Sequence, residues 1–118
     1  MKKYNVTAKT NPPIALSLEL RQRVTEILNQ DDIIAASPKH AAKRLGTSCI
    51  MMLRKENPRI EYNFGVIPPN FRPEYEEDVR PPEIETTLLF ELVQRETQGS
   101  STYGTTGIWV LEIKQTEE

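Results

Sequence analysis

The chain has 118 residues, of which 37% are hydrophobic and 27% are charged, a size and balance that suit a single globular domain over residues 1–118. One cysteine excludes an intramolecular disulfide and a cysteine-rich zinc site. No apolar run reaches the roughly eighteen residues of a membrane span and no signal-peptide core follows Met1, so we expect a cytoplasmic protein with no role in a membrane.

Charge is distributed unevenly along the chain. Residues 1–60 carry eleven Lys or Arg against five Asp or Glu, whereas residues 61–118 carry four against twelve, which together give the net charge of −2. Such asymmetry indicates an anionic partner or complementary surfaces in a homo-oligomer. The third interpretation is that the two halves neutralise each other within one fold.

The first half predicts a short strand and two helices. Tyr4, Val6 and Ala8 alternate with polar residues, as in a strand. Ser17 is a good N-cap for an amphipathic helix over 18–29. A second helix is predicted over 38–56, because Ser37 and Pro38 suit an N-cap and first helical position, and Asn57-Pro58 stops the helix.

The second half predicts strands separated by two loops. From residue 60 to 66 the apolar residues recur with a period of two, and residues 84–96 and 106–115 are rich in β-branched and apolar types. Five prolines and an acidic run predict a long loop at 68–83, and Thr, Ser and Gly predict a flexible hairpin loop at 97–107. We therefore expect an α+β fold, a mostly antiparallel sheet of three to four strands with two helices packed on one face.

The second helix has one face that is basic and free of acids until Glu56. On a helical wheel its apolar residues occupy one half of the circle. Like charges at helical spacing repel, so a compensating anion is expected. The predicted anion-binding residues are Lys39, His40, Lys43, Arg44, Arg54 and Lys55. The partner is nucleic acid, a nucleotide phosphate or an acidic protein; alternatively, the chain's own acidic run at 74–78 covers this face, or the face is simply solvated.

The side chains needed for catalysis are scarce. His40 and Cys49 are the only residues of their types, and nine helical positions place them about half a turn out of phase. They therefore cannot form a nucleophilic pair, and they leave no ligand set for zinc. The acidic run lacks the glycine and spacing of a calcium loop. We predict no catalytic residue, metal or cofactor.

Both predicted loops are candidate binding segments. Phe71 and Tyr75 lie in proline-stiffened chain, where aromatic side chains can dock on a protein partner at low entropic cost. Tyr103 could stack on a ligand that the 97–107 loop surrounds. The same aromatic residues would equally suit packing against their own domain.

Three functional hypotheses follow from the sequence. The leading one is a small non-enzymatic binding or regulatory protein that engages an anionic partner through the basic helix. The second is a protein–protein adaptor or inhibitor that acts through the proline-rich loop or a sheet edge, as a homo-oligomer in one version. The third is a small carboxylate-dependent enzyme using Glu61 or Glu91.

Overall fold

A computed structural model describes residues 1–68, 85–96 and 104–116. These residues form five strands and two helices, in the order β1 (Lys2–Asn11), α1 (Leu18–Leu28), β2 (Gln30–Ala35), α2 (Pro38–Glu56), β3 (Ile60–Ile67), β4 (Glu85–Glu96) and β5 (Gly104–Gln115). The predicted α+β class is confirmed.

The strands form one antiparallel, curled sheet in the order β2-β1-β5-β4-β3. The predicted count of three to four strands was therefore wrong, and β2 is the strand that was missed. Its sequence opens with three polar residues and includes Asp32 at a φ of 60°, so it shows no alternation. The predicted loop at 97–107 was also too long, because residues 104–107 belong to β5.

The two helices begin and end where the capping residues predict. The Ser17 hydroxyl accepts a hydrogen bond from the Leu20 amide, and the Ser37 hydroxyl accepts one from the His40 amide. Asn57 caps the end of α2, where its backbone N–H donates to the Leu53 carbonyl. The 19-residue α2 is continuous through Gly46.

Both helices pack against the same face of the sheet and enclose the core. The largest buried side chains include Trp109, Phe90 and Tyr4. The Phe90 ring stacks on Phe64 at a centroid distance of 5.3 Å and meets Trp109 edge-on at 6.0 Å. The Trp109 indole N–H donates to the Thr25 hydroxyl at 2.9 Å, which satisfies its polar atom and connects β5 to α1.

Asn29, directly after α1, links that helix to the sheet. Its side-chain oxygen accepts from the Ala8 amide at 3.0 Å, and its side-chain nitrogen donates to the Ala8 and Thr25 carbonyls at 3.2 and 2.8 Å. The β1–β2 pairing shifts register between Tyr4 and Val6, so the Asn29 amide takes the hydrogen bonds that β2 does not supply to Ala8.

The other face of the sheet carries no described helix. Strand alternation turns Lys3, Lys9 and Lys114 towards this side, because Tyr4, Val6 and Ile113 are buried against the helices. Within the described ranges no helix is long and apolar enough to cross a membrane.

Candidate anion-binding face of helix α2

The basic residues of α2 lie on the side of the helix that faces away from the core. Seven residues on the inner side are buried: Ala41, Ala42, Leu45, Gly46, Cys49, Ile50 and Leu53. All six residues of the predicted anion-binding set are exposed: Lys39, His40, Lys43, Arg44, Arg54 and Lys55. One uninterrupted helix thus places these seven buried residues opposite the six exposed nitrogen-bearing ones, and we call the outer side the basic face.

The basic face consists of two clusters. Lys39, His40, Lys43 and Arg44 form the first, and Arg54 and Lys55 form the second. At 1.5 Å per residue, the distance from Lys43 to Arg54 along the helix axis is about 16 Å, and the whole face is about 24 Å long. Charges spread over that length suit an extended polyanion better than a single small one.

The stretch between the clusters offers few free hydrogen-bonding groups. The Thr47 hydroxyl donates to the Lys43 carbonyl at 3.1 Å, and the Ser48 hydroxyl donates to the Arg44 carbonyl at 3.5 Å. Met51, also exposed, is apolar. The basic face therefore presents charge but few groups able to distinguish one base from another.

Two of the six residues have partners within the domain. An Arg44 guanidinium N–H donates to the Ile34 carbonyl on β2. The His40 Nδ1 accepts a hydrogen bond from the Ala36 amide at 3.2 Å, so this ring nitrogen is engaged within the domain. The other four cations of the face are Lys39, Lys43, Arg54 and Lys55. They make no hydrogen bond or ion pair with any described residue.

The one acidic residue of α2 is directed away from the basic face. The Glu56 carboxylate accepts from the Arg23 guanidinium on α1 at 2.8 Å, and both side chains are about 40% exposed. The hydrogen bond to Glu56 is the main reason that the pKa of Arg23 is raised. The acidic run at 74–78 lies outside the described residues, so the hypothesis that it covers the basic face stays a prediction.

Cys49 lies in the core, on the opposite side of α2 from His40. Its thiol is fully buried, and burial raises its pKa to about 12 from an ordinary value of 9.0. The predicted separation of the two residues is confirmed. A thiolate nucleophile does not form at neutral pH in such a site.

We expect Cys49 to react with a thiol reagent on the order of a thousandfold more slowly in the folded protein than in urea, because attack requires the core to open. Since folding raises the thiol pKa, the free energy of unfolding keeps its full value below pH 9.0 and falls as the pH rises towards 12. Stopped-flow thiol titration and urea denaturation at several pH values measure both effects. Equal reaction rates in the two states would contradict the burial.

The two candidate catalytic carboxylates each have a partner. Glu61 accepts from the Arg95 guanidinium at 2.8 Å, and Glu91 accepts from the Thr105 hydroxyl at 2.6 Å. Pairing places Glu61 opposite Arg95, four residues along β4 from Glu91, so the two acids are about 13 Å apart along the strands. That separation does not favour paired acid–base chemistry. In the described part of the chain no group of three or more His, Cys, Asp or Glu could hold a metal ion.

Three predicted partner-binding residues lie outside the described residues, namely Phe71, Tyr75 and Tyr103. The predicted loop at 68–83 lies outside them as well, apart from Pro68. The hypotheses built on these segments therefore stay predictions.

Comparison with known proteins adds no family assignment: no family model, curated protein or solved structure matches this chain. The side chains themselves are therefore the basis for inferring function.

A cavity at the start of α2 was not predicted from the sequence. Its lining residues come from β1, β4 and the residues that open α2, and they are Lys2, Tyr4, Ala36, Ser37, Pro38 and Thr86. Sheet pairing brings them together, and no short motif in the sequence marks them.

Proposed function

We propose that this protein is a non-enzymatic binding protein whose basic face engages the phosphate backbone of a nucleic acid. The observation that carries the proposal is the row of four exposed cations on one helix, Lys39, Lys43, Arg54 and Lys55, with the helix's only acid paired on the side facing α1. Lysine and arginine side chains bind phosphates by releasing condensed counterions, a gain that needs no base-specific contact.

The composition of the face favours binding that does not depend on sequence. The hydroxyls between the clusters donate to the helix itself, and Arg44 donates to β2. Contacts of this kind position a protein on a backbone without reading bases.

The salt dependence of binding tests the proposal. Four phosphate contacts predict a slope of about −4 in log affinity against log salt, which is on the order of a hundredfold loss between roughly 50 and 200 mM salt. Fluorescence anisotropy with a labelled DNA duplex measures this slope. An absence of binding at low ionic strength would reject the proposal.

A pair of matched triple variants locates the site. The first variant neutralises three residues of the basic face, Lys43→Gln, Arg54→Gln and Lys55→Gln. The second removes the same charge from the uncovered face of the sheet, Lys3→Gln, Lys9→Gln and Lys114→Gln. The first should reduce the salt slope by about 3 and the second should leave it nearly unchanged. If both triple variants reduced the salt slope by the same amount, total charge and not the basic face would govern binding.

An acidic protein is the competing partner for the same face. Polyglutamate presents carboxylates without phosphates, so it serves as the comparison ligand. Binding to polyglutamate as tight as to DNA would replace the nucleic-acid proposal with an acidic-protein one.

The alternative hypothesis of pairing through a sheet edge depends on which edge strand is available. At one edge, β2 is short, contains Asp31 and Asp32, and gives its Ile34 carbonyl to Arg44. Short strands and charged residues discourage edge pairing. A homo-oligomer formed through a sheet edge would therefore use β3 at the opposite edge, and this stays a prediction.

A further inference from the structure

The cavity at the start of α2 is lined by a buried tyrosine, Tyr4, whose hydroxyl makes no hydrogen bond to any described residue. Tyr4 on β1 is only 1% exposed, and its hydroxyl bonds to no described residue. Among the described residues, the one fully enclosed side-chain nitrogen or oxygen without a partner is Nε of Arg21. The Tyr4 oxygen is therefore not fully enclosed, and Tyr4 is one of the residues that line this cavity of about 260 Å³.

The other groups around the cavity are suited to a negative charge. The lining residues include Lys2, whose side chain ends in an ammonium, and Thr86 and Ser37, whose side chains carry hydroxyls. The Ser37 oxygen already accepts from the His40 amide, so its own proton is free to be donated. Among the side chains that the structure describes, none that lines the cavity carries a carboxylate.

Helix α2 adds a positive potential at the same place. Ser37 and Pro38, its cap and first residue, line the cavity, and the aligned peptide dipoles of a 19-residue helix leave partial positive charge at this end. Proline has no amide proton, and the amides of His40 and Ala41 are taken by Ser37. The Lys39 amide has no partner among the described residues, but Lys39 is not one of the residues that line the cavity.

From this arrangement we infer a binding site for the carboxylate or phosphate group of a small molecule, with the Tyr4 hydroxyl and the Lys2 ammonium as its main donors. A water molecule takes up roughly 30 Å³ of liquid, so a cavity of about 260 Å³ corresponds to about nine such volumes. That is below the size of pockets for drug-sized ligands. The site is separate from the basic face and does not depend on the proposed function.

Titration of the full chain with inorganic phosphate, and separately with acetate, tests the inference. Amide resonances of Ala36, Ser37, Lys39 and His40, followed by ¹H–¹⁵N NMR, should shift and saturate with at least one of the two anions. Tighter binding of phosphate indicates a phosphate-bearing ligand, and tighter binding of acetate indicates a carboxylate-bearing one. The absence of saturable shifts with both anions overturns the inference.

Single variants with close controls identify the donors. Tyr4→Phe removes one oxygen and keeps the ring, and it should weaken binding about tenfold, as expected for one hydrogen bond to a charged group. Lys2→Gln should weaken it by a similar factor, whereas Lys3→Gln, the same change at the next residue on the other face of the sheet, should not. The site is overturned if Tyr4→Phe leaves the anion affinity unchanged. It is also overturned if Lys3→Gln lowers that affinity as much as Lys2→Gln does.

Stability in the absence of ligand gives an independent control. Because the Tyr4 hydroxyl has no partner among the described residues, Tyr4→Phe should not lower the midpoint of urea unfolding. A lower midpoint would show that this oxygen is bonded within the protein, which overturns its assignment as a ligand donor. The basic-face triple variant should bind phosphate as tightly as the wild type does. If it lost as much phosphate affinity as Tyr4→Phe, the assignment to the cavity would be overturned.

Discussion

Replacing Trp109 with alanine is expected to lower the free energy of unfolding by about 4 kcal/mol, a large share of the stability of a domain of this size. The indole is completely buried at the centre of the core, packs edge-on against Phe90, and donates to Thr25. The substitution removes the buried ring and leaves a large space that the surrounding strands and helix cannot fill. Urea denaturation measures the loss, with an unchanged slope indicating that the native state stays compact.

Changes at Thr25 separate the hydrogen bond of Trp109 from its packing. The Thr25 hydroxyl accepts from the indole and donates to the Arg21 carbonyl. Thr25→Val keeps the side-chain shape but leaves the indole N–H without an acceptor, at a cost of about 1.5 kcal/mol. Thr25→Ser keeps the hydroxyl and should cost less. If Trp109→Ala cost no more than Thr25→Val, packing around the ring would not be the main contribution.

Replacing Gly46 with leucine should destabilise the protein by about 3 kcal/mol, even though leucine favours helices more than glycine does. A Cβ built at Gly46 would lie 2.5 Å from the Phe64 ring, closer than real Cβ contacts. Glycine is needed here because the helix approaches the aromatic ring too closely for any side chain. Thermal and urea unfolding measure the effect.

The double variant with Phe64→Ala checks that cause. With the ring removed, the leucine at position 46 has space to occupy, and it gains helix propensity relative to glycine. We therefore expect Gly46→Leu to be neutral or stabilising in the Phe64→Ala background, opposite in sign to its effect in the wild type. A cost of the same size in both backgrounds would show that contact with Phe64 is not the reason for glycine. Thr47→Leu, at the next and exposed position, is the control for propensity alone.

The helices could be predicted from sequence because local groups decide their ends. Ser17, Ser37, Pro38 and Asn57 each act within one helical turn, and the structure places the helix ends at or within one residue of the predicted ones. The outward direction of the basic residues was equally predictable, since it depends only on the angle between successive residues. Local chemistry was sufficient for both.

Strand β2 could not be predicted because its neighbours, not its own residues, hold it in place. Gln30, Asp31 and Asp32 favour a turn, yet the Asn5 side chain accepts from the Asp32 amide and β1 supplies the pairing. The hydrogen-bond partners of two site residues could not be predicted either, because Arg44 and His40 bond to backbone groups in and just after that strand. The predicted six-residue site therefore included two side chains that have partners within the domain.

The strand order also bears on how the chain folds. Strand β5 lies between β1 and β4, and near its end the Thr116 hydroxyl bonds to the Lys3 carbonyl, 113 positions earlier. The β1–β2 pair and the β3–β4 pair can each form locally, but β5 must insert before they share one sheet. Contacts between such distant residues slow folding, and each incomplete pair exposes an unpaired strand to aggregation. Folding intermediates are thus the species in which this protein is most exposed to self-association.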